Sequence, residues 1–130
     1  MGAIFGAKIP FAELCGIEFL GAEDGVTKLR VLLDEKHGNN SGIPHGGLIA
    51  TLLDVAMGTA ARLAAGVAAV TTLDMHVSFV AGGEDVLTAE GRVVRAGGSI
   101  IFTEAEARGP NGDIVAKASG VFKTRKAKDE

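Results

Sequence analysis

Two different periodicities of apolar and polar positions divide the chain. From Leu48 to Ala65 almost every residue is apolar, and Thr51, Asp54, Gly58 and Arg62 follow one another at spacings of three, four and four. That spacing places the four on one narrow stripe of an α-helix. Because the rest of the circumference is apolar, such a helix cannot lie on a surface, and a curved sheet is the natural wrapping. Gly66 supplies its stop.

The flanking segments read as strands. Ile17–Ala22 and Val26–Asp34, parted by Glu23-Asp24-Gly25, form a first hairpin. After the helix come Ala69–Val80, Asp85–Arg95, Ser99–Arg108 and Ile114–Thr124, separated by two Ala-Gly-Gly turns and by Gly109-Pro110-Asn111-Gly112. In the third of these, Thr103, Ala105 and Ala107 alternate with Glu104, Glu106 and Arg108, so one face is expected to be wet. Ile9–Leu14 is a short apolar segment with room for one helical turn, Lys36–His45 is a Gly-, Asn- and Pro-rich loop, and Lys123–Glu130 reads as a solvated charged tail. Two strands, one buried helix and four strands predict an α+β fold, a curved antiparallel sheet of about six strands around one long central helix. Either edge of such a sheet invites pairing with a second copy.

Composition narrows the functional classes. A chain of 130 residues fits a single domain over residues 1–130, with a flexible N-terminal start. A net charge of −3 gives no electrostatic case for nucleic acid as a partner. Cys15 is the only cysteine and His37, His45 and His76 lack a ligand spacing, so neither a disulfide nor a metal is expected. The single thiol and the absence of a signal-like N-terminus predict a cytoplasmic protein. Asp54 and Arg62 within the long apolar run argue against membrane insertion.

The run His37-Gly38-Asn39-Asn40-Ser41-Gly42-Ile43-Pro44-His45-Gly46-Gly47, followed by Asp54-Val55-Ala56-Met57-Gly58, resembles the hotdog-fold acyl-CoA thioesterases, most closely their phenylacetate-degradation (PaaI-like) branch. Thr71–Met75 and Val115–Phe122 resemble the family's strands after the helix and at the close of the domain. The resemblance implies that Asp54 is the nucleophile or general base and that the Gly46 amide polarises the thioester carbonyl. It further implies that Asn39 and His45 lie near the reacting centre and that Thr72 helps to hold water, with Thr71 its neighbour one position away. Gly47, Thr71, Arg95, Gly98 and Arg125 become the expected contacts to substrate and coenzyme A, the arginines through phosphate. Coenzyme A enters only as part of the substrate, and no cofactor is implied; the branch resemblance further implies an aromatic acyl group of the phenylacetyl-CoA type, while small residues such as Ala50 and Ala56 could equally line an aliphatic slot.

Elementary chemistry agrees with those roles. The first amides of a helix lack internal acceptors and sit at the positive end of its dipole, so a Gly46 N–H suits an oxygen that gains charge. Eight residues of helix nevertheless rise about 12 Å between Gly46 and Asp54, too far for both to reach one carbonyl carbon. The consequence is a homodimer with antiparallel helices and two shared sites, Asn39, His45 and Gly46 from one chain facing Asp54 and Thr72 of its partner; a dimer of dimers is the expected assembly, with dimer and tetramer both left open by the sequence. The same fold could instead carry a non-catalytic acyl-CoA binding module, or a hydratase acting on acyl thioesters. Asp54 could also be no more than the ion-pair partner of Arg62, and Asn39 a simple turn residue.

Overall fold

The computed structural model describes residues 7–125. Six strands, β1 (Ile17–Glu23), β2 (Val26–Leu32), β3 (Ala69–Phe79), β4 (Val86–Gly97), β5 (Ile100–Arg108) and β6 (Ile114–Arg125), form one antiparallel sheet in the order β1-β2-β4-β5-β6-β3. A short helix α1 (Pro10–Cys15) precedes them, and the long helix α2 (Gly46–Ala65) lies in the concavity.

The reason that the helix fits so closely is written in alternate residues of the central strands. Registers align Thr27, Gly91, Ala105, Ala118 and Val77 in one row across the sheet, and Leu29, Ala89, Ala107, Ala116 and Phe79 in the next. Small side chains at the middle of both rows hollow out a trough, in which Leu52, Leu53, Ala56, Met57 and Ala60 are buried. At its floor Thr27 Oγ1 donates to the Ala56 carbonyl at 2.9 Å. A Cβ on Gly91 would stand 2.5 Å from that same carbonyl oxygen. Gly91→Ala is therefore expected to destabilise the fold by about 1–3 kcal/mol or more, seen as a lower urea midpoint at unchanged slope.

Two boundaries and two burial patterns differ from the sequence expectation. Strand β2 ends at Leu32 because Asp34 caps a 3₁₀ turn, Glu35–His37, by accepting from Lys36 N at 3.0 Å, while Asp34 N donates to His37 Nδ1 at 3.0 Å. Strand β6 continues to Arg125, opposite Ala69, so Lys123–Arg125 belong to the sheet, and the remainder of the expected tail, like the first residues of the expected flexible start, lies outside the described residues. The polar stripe of the helix is half closed: Thr51 and Asp54 remain partly open, whereas Gly58 and Arg62 are buried. Phe122 covers Gly58, its ring lying 3.3 Å from where a Gly58 Cβ would be. Finally, Glu106 on the expected wet face is buried under Arg92, which binds it through Nη1 at 3.1 Å and Nη2 at 2.7 Å.

Strand β3 occupies one edge of the sheet with β6 as its single neighbour. It is eleven residues long and leaves one row of backbone groups unpaired.

Candidate active site

The loop from His37 to His45 is built by its own backbone before it meets the helix. His45 N donates to His37 O at 2.8 Å and Asn39 N to Ile43 O at 2.7 Å, which closes the loop at its base. Within it the Asn39 side-chain oxygen accepts from Ser41 N at 2.8 Å and Ile43 N at 3.3 Å. Two backbone donors require an oxygen there, so the amide orientation follows and the Asn39 NH₂ group is left to donate outward. Asn39 is thus a turn residue that lines the same cavity as Gly46 at the helix start.

His45 caps the helix. Its Nδ1 accepts from Gly47 N at 2.8 Å, which fixes the other ring nitrogen as the proton carrier in the neutral imidazole. Gly47 therefore spends its amide on the cap, and its carbonyl accepts from Thr51 Oγ1 at 2.8 Å. The Gly46 N–H finds no acceptor among the described residues, as expected for a first-turn amide. Gly46 lines a cavity of about 290 Å³ together with Asn39, Ile43, Ile49 and Phe79.

Asp54 stands two turns further on, in a different cavity. Thr72 Oγ1 donates to Asp54 Oδ1 at 2.7 Å, and both line a cavity of about 330 Å³ with Val55, Gly58 and Arg62. Burial pushes the Asp54 carboxyl above its ordinary value, and the Thr72 hydroxyl opposes that rise without cancelling it. The outcome is a half-buried carboxylate of increased basicity with one oxygen fixed and the other open. Arg62 is engaged by Thr59, to whose Oγ1 it donates at 3.4 Å, and the hydrogen bond that Asp54 receives comes from strand β3.

The choice between Thr71 and Thr72 is made by a bulge. Thr72 pairs with Phe122 on the inner face, Asp74 with Val121 on the outer one, and Leu73 is the extra residue between them. Thr71, opposite Lys123, points away from Asp54. Arg95 and Gly98 lie at the β4–β5 hairpin, where Gly98 adopts φ +71°, and Thr124 N donates to Ser99 O at 2.9 Å. That bond sets the hairpin beside the end of β6, so Arg95, Gly98 and Arg125 share one corner of the sheet, removed from the Gly46 cavity. Asn39, His45 and Gly46 are brought together at one end of the helix and Asp54 with Thr72 in its middle, two groups that one chain leaves in separate cavities. The described residues contain no cluster of metal-binding side chains.

Sequence reasoning missed two residues of this region. Phe79, at the end of β3, lies against Gly46, with Cε1 3.3 Å from where a Cβ would be. His37 is buried and its Nε2 lies 2.7 Å from Cys15 O, tying the loop to helix α1. The spacing Asp34-x-x-His37 is a capping pattern and was the available signal for the second; an aromatic ending a strand is too common to flag the first.

The chain is similar to known proteins over most of its length. Residues 41–116 match the family model described as Thioesterase superfamily. A Pseudomonas aeruginosa protein named "Putative esterase" is 38% identical over 119 residues, covering 87% of this chain and 87% of its own. The crystal structure of a Bacillus halodurans protein with CoA superposes with a TM-score of 0.82 at 27% identity, covering 92% of this chain and 81% of that one. The Escherichia coli PaaI protein from the phenylacetic acid degradation operon shares the fold, with a TM-score of 0.83 at 20% identity over 91% of this chain and 86% of its own. With a six-stranded antiparallel sheet wrapped about one long helix and this family match from the second half of the loop through the helix and strands β3 to β5, the chain belongs to the thioesterase superfamily and has its hotdog fold.

Proposed function

We propose that the protein is an acyl-CoA thioesterase of the PaaI-like kind, hydrolysing its substrate to the free acid and coenzyme A in the cytoplasm. The observation that carries this reading is the pairing, on one helix, of an unsatisfied Gly46 N–H at its start with a half-buried, basic Asp54 in its middle. These are an oxyanion donor and a base, the two requirements of acyl transfer to water. A relative of this fold solved with CoA supports the same class of ligand.

In the proposed reaction the thioester carbonyl oxygen accepts from Gly46 N–H, assisted by the Asn39 NH₂ group. Asp54 of the partner subunit takes a proton from water as its oxygen attacks the carbonyl carbon. The tetrahedral oxyanion collapses, the C–S bond breaks, and the thiolate of coenzyme A leaves with that proton. As nucleophile, Asp54 would instead form an anhydride that water then opens, with the same net balance. Thr72 holds the carboxylate in place in both versions. Antiparallel association through the free edge of β3 supplies the partner subunit. Arg95 and Arg125, with Gly98 at the hairpin tip, offer cationic contacts for the phosphates of the substrate. No cofactor takes part in this scheme.

A thiol-release assay over aromatic and straight-chain acyl-CoA esters tests the reading, and no release from any of them overturns it. A second measurement tests the state of the base. Thr72→Val removes the one hydrogen bond that lowers the Asp54 pKa, so the acid limb of the pH–rate profile should move to higher pH. Below that limb the loss should reach about tenfold, as for a hydrogen bond to a charged group, and it should shrink as pH rises. An unmoved limb would separate Thr72 from the titrating base.

A further inference from the structure

The segment that leads into the long helix is anchored to the body of the protein at one point. From Leu32 to Gly47 every residue is partly or fully exposed except His37, which is 5% exposed. An apolar side chain would be the ordinary anchor for such a stretch, because an imidazole taken out of water costs free energy unless its nitrogens are satisfied. Both are satisfied here. Nδ1 accepts from Asp34 N at 3.0 Å, so the proton of the neutral ring sits on Nε2, which donates to Cys15 O at 2.7 Å.

The two bonds differ in reach. The first closes a 3₁₀ turn on a residue three positions away and is local. The second spans twenty-two positions to the last residue of α1. Cys15 O is one of the terminal carbonyls that a helix cannot satisfy internally, so the Nε2–H group completes α1 as well. Helix α1 is a firm reference, since Ala12 within it and Ile17 just after it are both fully buried in the core. On its other side His37 holds the helix start through its backbone: His37 O accepts from His45 N at 2.8 Å, and Gly38 bridges Pro44. Gly46 follows His45 directly, and Asn39 lies two positions after His37.

We propose that His37 is the positioning residue of the oxyanion donor: its bond to the Cys15 carbonyl locks the start of α2 to α1 and thereby fixes where the Gly46 N–H points. The inference rests on the acyl-CoA thioesterase reading and deepens it. Every contact it uses lies within one chain. An oxyanion donor acts on charge that develops in the transition state, and a misplacement of about 1 Å can cost about a hundredfold in rate. Loss of the tie should therefore lower kcat and leave KM nearly unchanged.

Three variants separate the two bonds. Glutamine puts an amide N–H where Nε2–H stood, asparagine puts an oxygen where Nδ1 stood, and alanine does neither. Acyl-CoA turnover should fall about tenfold or more in His37→Ala and His37→Asn, with KM within about twofold, and should recover to within about threefold of the wild type in His37→Gln. Amide NMR resonances report the placement directly. Those of Asn39, Gly46 and Gly47 should shift in His37→Ala and His37→Asn and return in His37→Gln, while those of Asp54 and Thr72 hold still. A residue needed only for folding would lower the urea midpoint without moving that one set. If His37→Ala does not fold, the contrast between glutamine and asparagine decides. Wild-type turnover in all the folded variants overturns the proposal, and so does a Gly46 resonance that moves in none of them. Recovery in His37→Asn and not in His37→Gln also overturns it, because the turn at Asp34 would then hold the helix start. A wild type that turns over no ester removes the thioesterase reading instead, and the resonances still decide whether His37 sets the helix start.

Discussion

Asp54→Asn is expected to lower acyl-CoA turnover by about a hundredfold or more while leaving the protein at least as stable as the wild type. The two halves of that expectation have separate causes. Asn keeps the shape and still offers an oxygen to the Thr72 hydroxyl, 2.7 Å from Asp54 Oδ1, but it can neither take a proton nor attack a carbonyl. Stability follows from the sign of the pKa shift. A carboxyl whose pKa is raised in the folded state binds its proton more readily there than in the unfolded chain. Folding is thus favoured at low pH and loses stability as pH climbs from the ordinary value of 3.8 up through the folded one. At neutral pH the wild type carries the cost of a partly desolvated charge, and Asn does not. Urea unfolding and thiol-release kinetics on the same preparation check both halves, and an equally active variant removes Asp54 from the chemistry. A loss of activity with a gain of stability is the pattern of a residue kept for function. Asp54→Ala should be equally inactive and should fold.

Much of the fold was legible because each of its signals is local. The apolar run ended by Gly66 gives the helix, and the glycine turns at Gly25, Gly98 and Gly112, all with positive φ in the structure, give the hairpins. What escaped was tertiary in origin. The trough depends on Gly91, Ala105 and Ala118 being neighbours across three strands, which no single segment reveals. Burial of Glu106 depends on Arg92, fourteen residues away in the chain. The closed half of the polar stripe depends on Phe122, which comes from the last strand. At the candidate site the helix start and the lone acid were readable, since both are properties of one helix. Thr72 was given by the family resemblance alone and not by the strand pattern, because a one-residue bulge decides which of two adjacent threonines faces inward. Phe79 was invisible for a related reason: its ring lies against a glycine thirty-three positions earlier, which the pairing of β3 with β6 brings near.

The proposed division of the site between subunits predicts the second large effect, which is a recovery. Two inactive variants, Asp54→Ala and Gly46→Pro, should restore activity when their subunits exchange. Proline at 46 removes the amide donor, and the helix start tolerates it: His45 has φ −64° and ψ 138°, the extended region that a residue before proline prefers, and the first helical position needs no N–H. The ring of Phe79, 3.3 Å from the added Cβ, is exposed and free to swing aside. Each homodimer then holds two broken sites. A mixed dimer holds one site assembled from the intact Gly46 of the Asp54→Ala chain and the intact Asp54 of the Gly46→Pro chain, while its other site is broken twice. With about half of the dimers mixed and one good site in each, activity should rise from background toward a quarter of the wild type. The underlying constraint is the helix itself, whose rise of about 12 Å over eight residues keeps the donor and the base of one chain apart. Native mass spectrometry establishes exchange and circular dichroism establishes folding of both variants. Mixed dimers that form and stay at background would show that each chain completes its site alone, and would require a route by which Asp54 and Gly46 of one helix reach the same carbonyl.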